Sequence, residues 1–441
     1  MKLLGKRRRA AILLASMTLA IGLAGCTSNT DSGSGSSQNT TSSGAAASPV
    51  TIRFYFWGDA NRNTEVGKAI DLFEQDNPTI TVQPEFTDWS GYWDKLSTEV
   101  AGGNTPDVFM QEDRYIGDYS RRGLLADLES LGVPTNDIDS GLLSNGRIDG
   151  KLVGIPTGSN VYGIIINPTL FQQAGVAIPD DSTWTWDDYV SIAEQIHNNI
   201  PGGTIYGTSD STYNEVGFEI YLRQHGEDLF DAQGNLAYDD ELLVDWWKQS
   251  LALQSAGGQP PADEAASLDL DDSPLAKGYA AMSMTWSSQM GQLASDAGTD
   301  LQILKMPGES QFKREGMYFK PGMYLSASAK SKTLDADAKF IDFFANDPRV
   351  GQIFGTELGL SGNSTVRDAV IPQLTGSNLV SAQFVQSLND HIIDSRMVLP
   401  NGAGNAATII QQLNEQVLFG QLTPEAAATQ FRTQLQAAIS Q

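Results

Sequence analysis

The chain has one cysteine, Cys26, in 441 residues, and three histidines, His197, His225 and His391. A single cysteine excludes an intramolecular disulfide. Three scattered imidazoles, with no two at a ligand spacing, leave no zinc site of the usual kind, and no metal or other cofactor is expected. Cations are scarce too: 28 Lys and Arg stand against 53 Asp and Glu, a net charge of −25. Setting aside the five cations of the first 25 residues moves that balance from −25 to −30. So acidic a body repels phosphate backbones and anionic headgroups, which excludes nucleic acid as an expected partner. After residue 25 no apolar run is long enough to span a bilayer. Catalytic signatures are also missing. There is no phosphate-cradling glycine loop with a following Lys-Ser/Thr, no His-Glu-x-x-His and no Gly-x-Ser-x-Gly elbow. Carboxylate chemistry stays open, because a glycosidase needs only two acids about 5–9 Å apart.

What is present begins at the N-terminus. Lys2, Lys6, Arg7, Arg8 and Arg9 precede an apolar run over 10–24 that stops at Leu23-Ala24-Gly25-Cys26. A basic stretch, a short apolar core and small residues before a cut site read as an export signal over 1–25. Leu-Ala-Gly-Cys resembles the lipobox of bacterial lipoproteins, which implies lipidation of Cys26 and attachment to the extracytoplasmic face of the cell membrane. Residues 26–49 are rich in Ser, Thr, Gly, Ala and Asn. They cannot bury enough surface to offset their ordering entropy, so a flexible tether with a reach of roughly 25–30 Å is expected.

The remaining 50–441 is long enough for two domains. Residues 50–56 alternate, with Val50, Ile52, Phe54 and Phe56 on one face, and read as a first strand. Val66, Ile70 and Phe73 follow at helical spacing up to Asn77-Pro78. Further strands are expected from Ile80, over 107–110, 151–156, 161–167, 280–286 and 323–328. Helices are expected around Tyr92–Val100 and 242–253, and after Thr185, where Asp188 completes a capping box. The end is helical, with Ala427, Phe431, Leu435 and Ile439 at four-residue intervals. Strands alternating with helices predict an α/β architecture with parallel pairing.

Aromatic residues are the main chemical signal. Trp57, Trp89, Tyr92, Trp93, Tyr115, Tyr162, Trp286, Tyr318 and Tyr324 fall near strand ends and loops. Ligands in open α/β sheets bind beyond the carboxyl ends of strands. An aromatic ring there stacks on a pyranose face while carboxylates and amides bond its hydroxyls. Trp57 with Asp59, and Gln111-Glu112-Asp113 with Tyr115, have this mixed character. Each ring is equally readable as core, and Asp113 as a helix cap. Two acidic clusters read as solvated loops: Asp269/Asp271/Asp272, which lacks the glycine and distal glutamate of a calcium loop, and Asn136 to Gly141.

In order along the chain stand Asn104-Thr105-Pro106-Asp107-Val108, Gly123-Leu124-Leu125-Ala126-Asp127-Leu128, Gly150-Lys151-Leu152-Val153-Gly154-Ile155-Pro156 and Tyr162-Gly163-Ile164-Ile165-Ile166-Asn167. Thr183-Trp184-Thr185-Trp186-Asp187-Asp188-Tyr189, Leu229-Phe230-Asp231-Ala232-Gln233-Gly234-Asn235, Lys277-Gly278-Tyr279-Ala280-Ala281-Met282 and Lys339-Phe340-Ile341-Asp342-Phe343-Phe344 follow. Together these segments resemble the extracellular solute-binding proteins of family 1, the sugar-binding lipoproteins of ATP-driven (ABC) importers. The resemblance implies a two-lobe, periplasmic-binding-protein-like type II fold, hinged between lobes and mainly helical near its C-terminus. It places one lobe at 50–160 plus 300–347 and the other at 161–299 plus 348–441. It implies a monomer without catalytic activity that closes on a carbohydrate, expected to be an oligosaccharide, and presents it to permease subunits. The cleft contacts it implies are Trp57, Asp59, Glu112 and Asp113 from the first lobe, Trp286 from the second, and Tyr324 near the hinge. Glu112-Asp113 favours a neutral glycan, and Arg396 is the cation that could pair an acidic one. Alternatives are a receptor for a polyamine, peptide or chelated iron, or a surface-anchored glycan hydrolase.

Overall fold

The computed structural model describes residues 48–265, 273–312, 314–388 and 399–440. The export signal, Cys26, nearly all of the tether, the acids Asp269, Asp271 and Asp272, His391 and Arg396 lie outside those residues.

The chain opens with β1 (Val50–Trp57), α1 (Ala60–Asp76), β2 (Ile80–Thr87), α2 (Trp89–Ala101), β3 (Val108–Gln111) and α3 (Asp113–Arg121). The alternation of β1 predicts one buried face, yet from Phe54 onward both faces are buried. Phe54 packs on Phe340 and Phe344, while Tyr55 stacks on Tyr92 of α2 with centroids 4.5 Å apart. A strand covered on both faces is the normal condition of a parallel sheet, and each such ring contributes about 1.5–3 kcal/mol by its burial. After α4 (Ser140–Asn145) and the short strands β4 (Arg147–Ile148), β5 (Lys151–Leu152) and β6 (Ile155–Pro156), the chain leaves this body through β7 (Gly158–Asn160). Asp139, from the second acidic cluster, caps α4 by accepting from the amides of Gly141 and Leu142.

The second body comprises β8 (Tyr162–Ile166), α5 (Pro168–Ala174), α6 (Trp186–Asn199), β9 (Tyr206–Thr208), α7 (Glu215–Gln224), α8 (Asp240–Ser255), α9 (Ala262–Ala265), β10 (Ala280–Trp286), α10 (Met290–Ala297) and β11 (Gln302–Leu304). The Thr185/Asp188 capping box is present at the start of α6. The tandem Trp246 and Trp247 of α8 are both fully buried. The chain returns through β12 (Lys320–Pro321) to β13 (Tyr324–Ala327), α11 (Leu334–Asn346) and α12 (Pro348–Phe354). It then passes through β14 (Leu360–Ser361) and α13 (Ser364–Val370) to the closing helices α14 (Gly376–Ser387), α15 (Asn405–Leu418) and α16 (Pro424–Ile439).

Two separate cores result, one built from residues between Ile52 and Ile155 plus Met323 to Leu358, the other from Val161 to Tyr318 plus Leu360 to Leu435. This differs from the expected division at two places. Leu301 to Tyr318 belongs to the second core because β11 pairs with β8, and α12 belongs to the first because Val350 and Phe354 pack there. The first sheet has the order β2-β1-β3-β13-β6 and the second β11-β8-β10-β9. Pairing is parallel among β1, β2 and β3, and between β10 and β9. It is antiparallel at β8 and β13, so the expectation of parallel pairing holds only in part. Both exceptions directly follow a crossing between bodies, where no helical crossover reverses the chain.

A third sheet, β12-β7-β14, consists of the crossing segments themselves. A Cβ on Gly158 would stand 2.7 Å from Gly359 backbone, and one on Gly322 2.4 Å from the Leu358 carbonyl oxygen. Only glycine lets these backbones approach so closely.

Beside this hinge, Arg62 of α1 donates to Glu357 at 2.6 Å and to the Trp57 carbonyl at 3.0 Å. Burial and the neighbouring Glu357 push the Glu65 carboxyl up to about 8.

Candidate functional site

The ends of β3 and β10, the starts of α2, α3 and α7 and the crossing strand β12 bring five charged side chains and two indoles together between the lobes. Glu112 follows β3, is almost wholly buried, and caps α3 by accepting from the Arg114 amide at 2.9 Å. The cap is therefore Glu112, and Asp113 is the first helical residue. Lys320 of β12 reaches back so that Nζ contacts Glu112 and lies 3.2 Å from Asp113. The same Nζ stands 4.8 Å from the ring centre of Trp286, the last residue of β10. Trp286 in turn meets Tyr162 edge to face at 5.1 Å.

Arg114 joins the lobes. Its Nε donates to Glu112 at 3.0 Å and its Nη1 to Glu215, the first residue of α7, also at 3.0 Å. Its guanidinium lies 5.3 Å from the ring of Trp89, one of the few exposed large apolar side chains. Burial acts to raise the Glu112 carboxyl, but Arg114 and Lys320 outweigh it and hold the group well below the usual carboxylate range. Burial acts on Arg114 in the opposite sense, and Glu112 and Glu215 keep it charged. Buried charges persist only when paired in this way.

The loop that delivers Glu215 is braced from behind. Asp210 accepts from the Thr212 amide at 2.9 Å and from the Asn414 amide group at 2.6 Å. Thr212 and the Trp247 indole both donate to the Asn414 carbonyl. On the other side, the Gln111 amide is fully buried at the end of β3, and neither of its polar atoms has a hydrogen-bond partner among the described residues.

The six expected contact residues divide. Glu112, Asp113 and Trp286 come together around Lys320. Trp57 lies instead in an aromatic cluster, edge on to Trp89 at 5.1 Å and Tyr92 at 5.2 Å, and only 8% exposed. Tyr324 is wholly buried in the first sheet, opposite Gln111. Both rings are occupied by core packing, which corrects their expected place on an open cleft wall. Asp59 is exposed and caps α1 through the Arg62 amide at 2.8 Å. Arg114, Lys320 and Glu215 were not expected. Arg114 adjoins Glu112-Asp113 in sequence and was within reach of the same reading, whereas nothing local marks Lys320 or Glu215. The expectation of a neutral ligand also loses its basis, since both acids already face cations. Two surface hollows, of about 690 and 560 Å³, share no residue with this cluster.

Residues 68–371 match the family of bacterial extracellular solute-binding proteins, more than half of the chain. The chain belongs to that family. A solved structure of an extracellular solute-binding protein of family 1 from Alicyclobacillus acidocaldarius is 27% identical to this solute-binding protein. It covers 90% of this chain and 100% of its own, with a TM-score of 0.67. The fold is thus the expected two-lobe one. A putative binding protein of Brucella abortus is 30% identical over 148 residues, 32% of this chain and 33% of its own length. The diacetylchitobiose-binding protein of Streptomyces coelicolor is 26% identical over 281 residues, 61% of this chain and 63% of its own. The chain therefore spans about a third of the length of the first relative and under two-thirds of the second.

Proposed function

We propose that this solute-binding protein captures an oligosaccharide between its lobes and hands it, unaltered, to the permease of an ATP-driven importer. The observation that carries this reading is the cluster at the lobe junction. Trp286 and Trp89 bring aromatic rings beside the cations Lys320 and Arg114, and Glu112, Asp113 and Arg114 offer oriented polar atoms from the first lobe. A sugar needs both kinds of contact, a ring for its C–H face and fixed donors and acceptors for its hydroxyls. The Gln111 amide supplies a further buried donor and acceptor beside them. The relative named for diacetylchitobiose points to the same ligand class. Trp57 and Tyr324 then act from behind, fixing the wall rather than touching the sugar.

A polyamine fits less well, because Lys320 and Arg114 already occupy the cleft acids. Hydrolysis also fits poorly. A glycosidase acid must hold its proton near neutral pH, and Glu112 is held in the opposite direction. The likeness of Leu23-Ala24-Gly25-Cys26 to a lipobox supports an anchor through Cys26 at the extracytoplasmic face. Metabolic labelling with a fatty acid tests the anchor: equal labelling of wild type and Cys26→Ser would remove it.

Thermal shift against neutral oligosaccharides, uronate oligomers, spermidine and peptides tests the ligand. A solute at 100 times its dissociation constant stabilises the native state by about 2.7 kcal/mol. Stabilisation by one glycan class, recovered intact by chromatography, is the expected result. Stabilisation by spermidine or peptide alone would overturn the carbohydrate reading, and released product would overturn the receptor reading.

A further inference from the structure

We propose that Arg114 and Glu215 form a latch between the lobes that sets how much of the ligand-free protein is closed, with Glu215 acting as the positioning residue. The proposal rests on the reading that solute enters between the lobes, and it assigns a role to a residue that need not touch the solute.

The argument begins with how each partner is held. Arg114 belongs to the first lobe and is fixed there by two bonds to Glu112, one through its backbone amide and one through Nε. Glu215 belongs to the second lobe, where it is 2% exposed and sits just after the loop that Asp210, Thr212 and Asn414 hold rigid. Neither can follow the other if the lobes part. The 3.0 Å bond between them therefore exists only while the lobes meet.

Helix α3 shows that this is its lobe-facing side. Arg121, two turns after Arg114, bonds Asn401, and its Nη2 lies 3.5 Å from the Leu399 carbonyl. The Tyr115 ring would lie 2.9 Å from a Cβ on Gly404. These contacts with the second lobe are largely polar, so little apolar burial favours closure here. A buried ion pair is close to balanced against hydration of its separated charges. Such a pair leaves the equilibrium poised, and a ligand shifts it by its differential affinity for the closed state. Removing the Glu215 charge leaves Arg114 buried with only the first lobe's acids when closed, and hydrated when open. That change favours opening, and apparent affinity falls with the closed fraction.

The test measures opening without any ligand. In the full chain carrying Cys26→Ser, spin labels are attached at Asp71→Cys on α1 and Gln412→Cys on α15, both exposed positions on different lobes. Pulsed electron resonance then reads the distance distribution. Glu215→Gln is expected to lower the ratio of short to long distances at least tenfold. Arg114→Gln, approaching from the other lobe, should give the same shift even if Glu215→Gln folds poorly. The apolar pair Arg114→Met with Glu215→Leu should return short distances. Distributions unchanged from wild type in both single variants would overturn the latch. So would a shift in one charge variant alone when both are folded. Because no sugar is present, a failed glycan screen leaves this result standing, and a failed latch leaves the glycan screen untouched.

Discussion

Replacing Lys320 with methionine keeps the apolar stem of the side chain and removes only its charge. In the wild type, Nζ contacts Glu112 and stands 3.2 Å from Asp113, and all three side chains are largely buried. Opposite unit charges 3.2 Å apart attract by about 5 kcal/mol at an effective dielectric constant near 20. Desolvation cancels much of that gross figure, so the loss of one partner is the better guide, about 3–5 kcal/mol for a buried pair. Arg114 remains on Glu112 and also acts on Asp113, which places the expected loss near the lower bound, about 3 kcal/mol. Urea unfolding should show a lower midpoint at unchanged slope. Adding Asp113→Asn removes one of the two acids that Lys320 faced and should return part of the loss. Acid sensitivity gives a second readout. Glu112 is held below its ordinary value of 4.5, so its contribution is complete above about pH 4.5 and is lost as pH falls further. That loss should shrink in Lys320→Met. A cost under about 1 kcal/mol, the range of exposed ion pairs, would refute the reasoning.

Other substitutions separate packing from binding. Trp286→Ala should weaken sugar binding more than tenfold, about 1.4 kcal/mol, in titration calorimetry, with the unfolding midpoint little changed. Trp57→Ala should instead cost about 3–5 kcal/mol of stability, because its ring fills a core; a fully stable variant would return it to the cleft wall. Glu65→Gln should flatten the pH dependence of stability. The Glu65 carboxyl is raised to about 8, so its contribution is complete below about pH 4.5 and lost as pH rises through 8. Equal slopes for wild type and variant over that window would count against a proton held there. Gly207→Ala would set a Cβ 2.1 Å from the Ala193 carbonyl oxygen, forcing β9 and α6 apart. A loss above about 3 kcal/mol is expected, and a stability within 0.5 kcal/mol of wild type would be inconsistent with that packing.

Elements with a strong period were legible in the sequence. The alternating β10, the capped α6 and the apolar stripe of α16 all stand where their patterns put them. The crossing strands were not legible, because two or three residues such as Lys320–Pro321 or Leu360–Ser361 carry no period at all. Their existence depends on partners far along the chain. The same holds for the site. Glu112, Asp113 and Trp286 lie at strand ends, where local pattern points, whereas Lys320 and Glu215 reach the cluster only through the topology. Trp57 and Tyr324 were placed on the cleft because sequence cannot distinguish a strand-end ring facing a crevice from one facing a helix.

The three glycine-lined strands at the hinge bear on how this protein can be divided. Since the polypeptide passes between the bodies three times, neither lobe is a contiguous half of the sequence. A protease that nicks one crossing leaves two others spanning the gap, so a clipped molecule stays whole. No single truncation yields a complete lobe, because the sheet of the first lobe is finished only by β13, which is made after every strand of the second lobe's sheet. Newly made chain must therefore hold its first lobe incomplete, with the β3 edge still open, until residues beyond 320 have emerged.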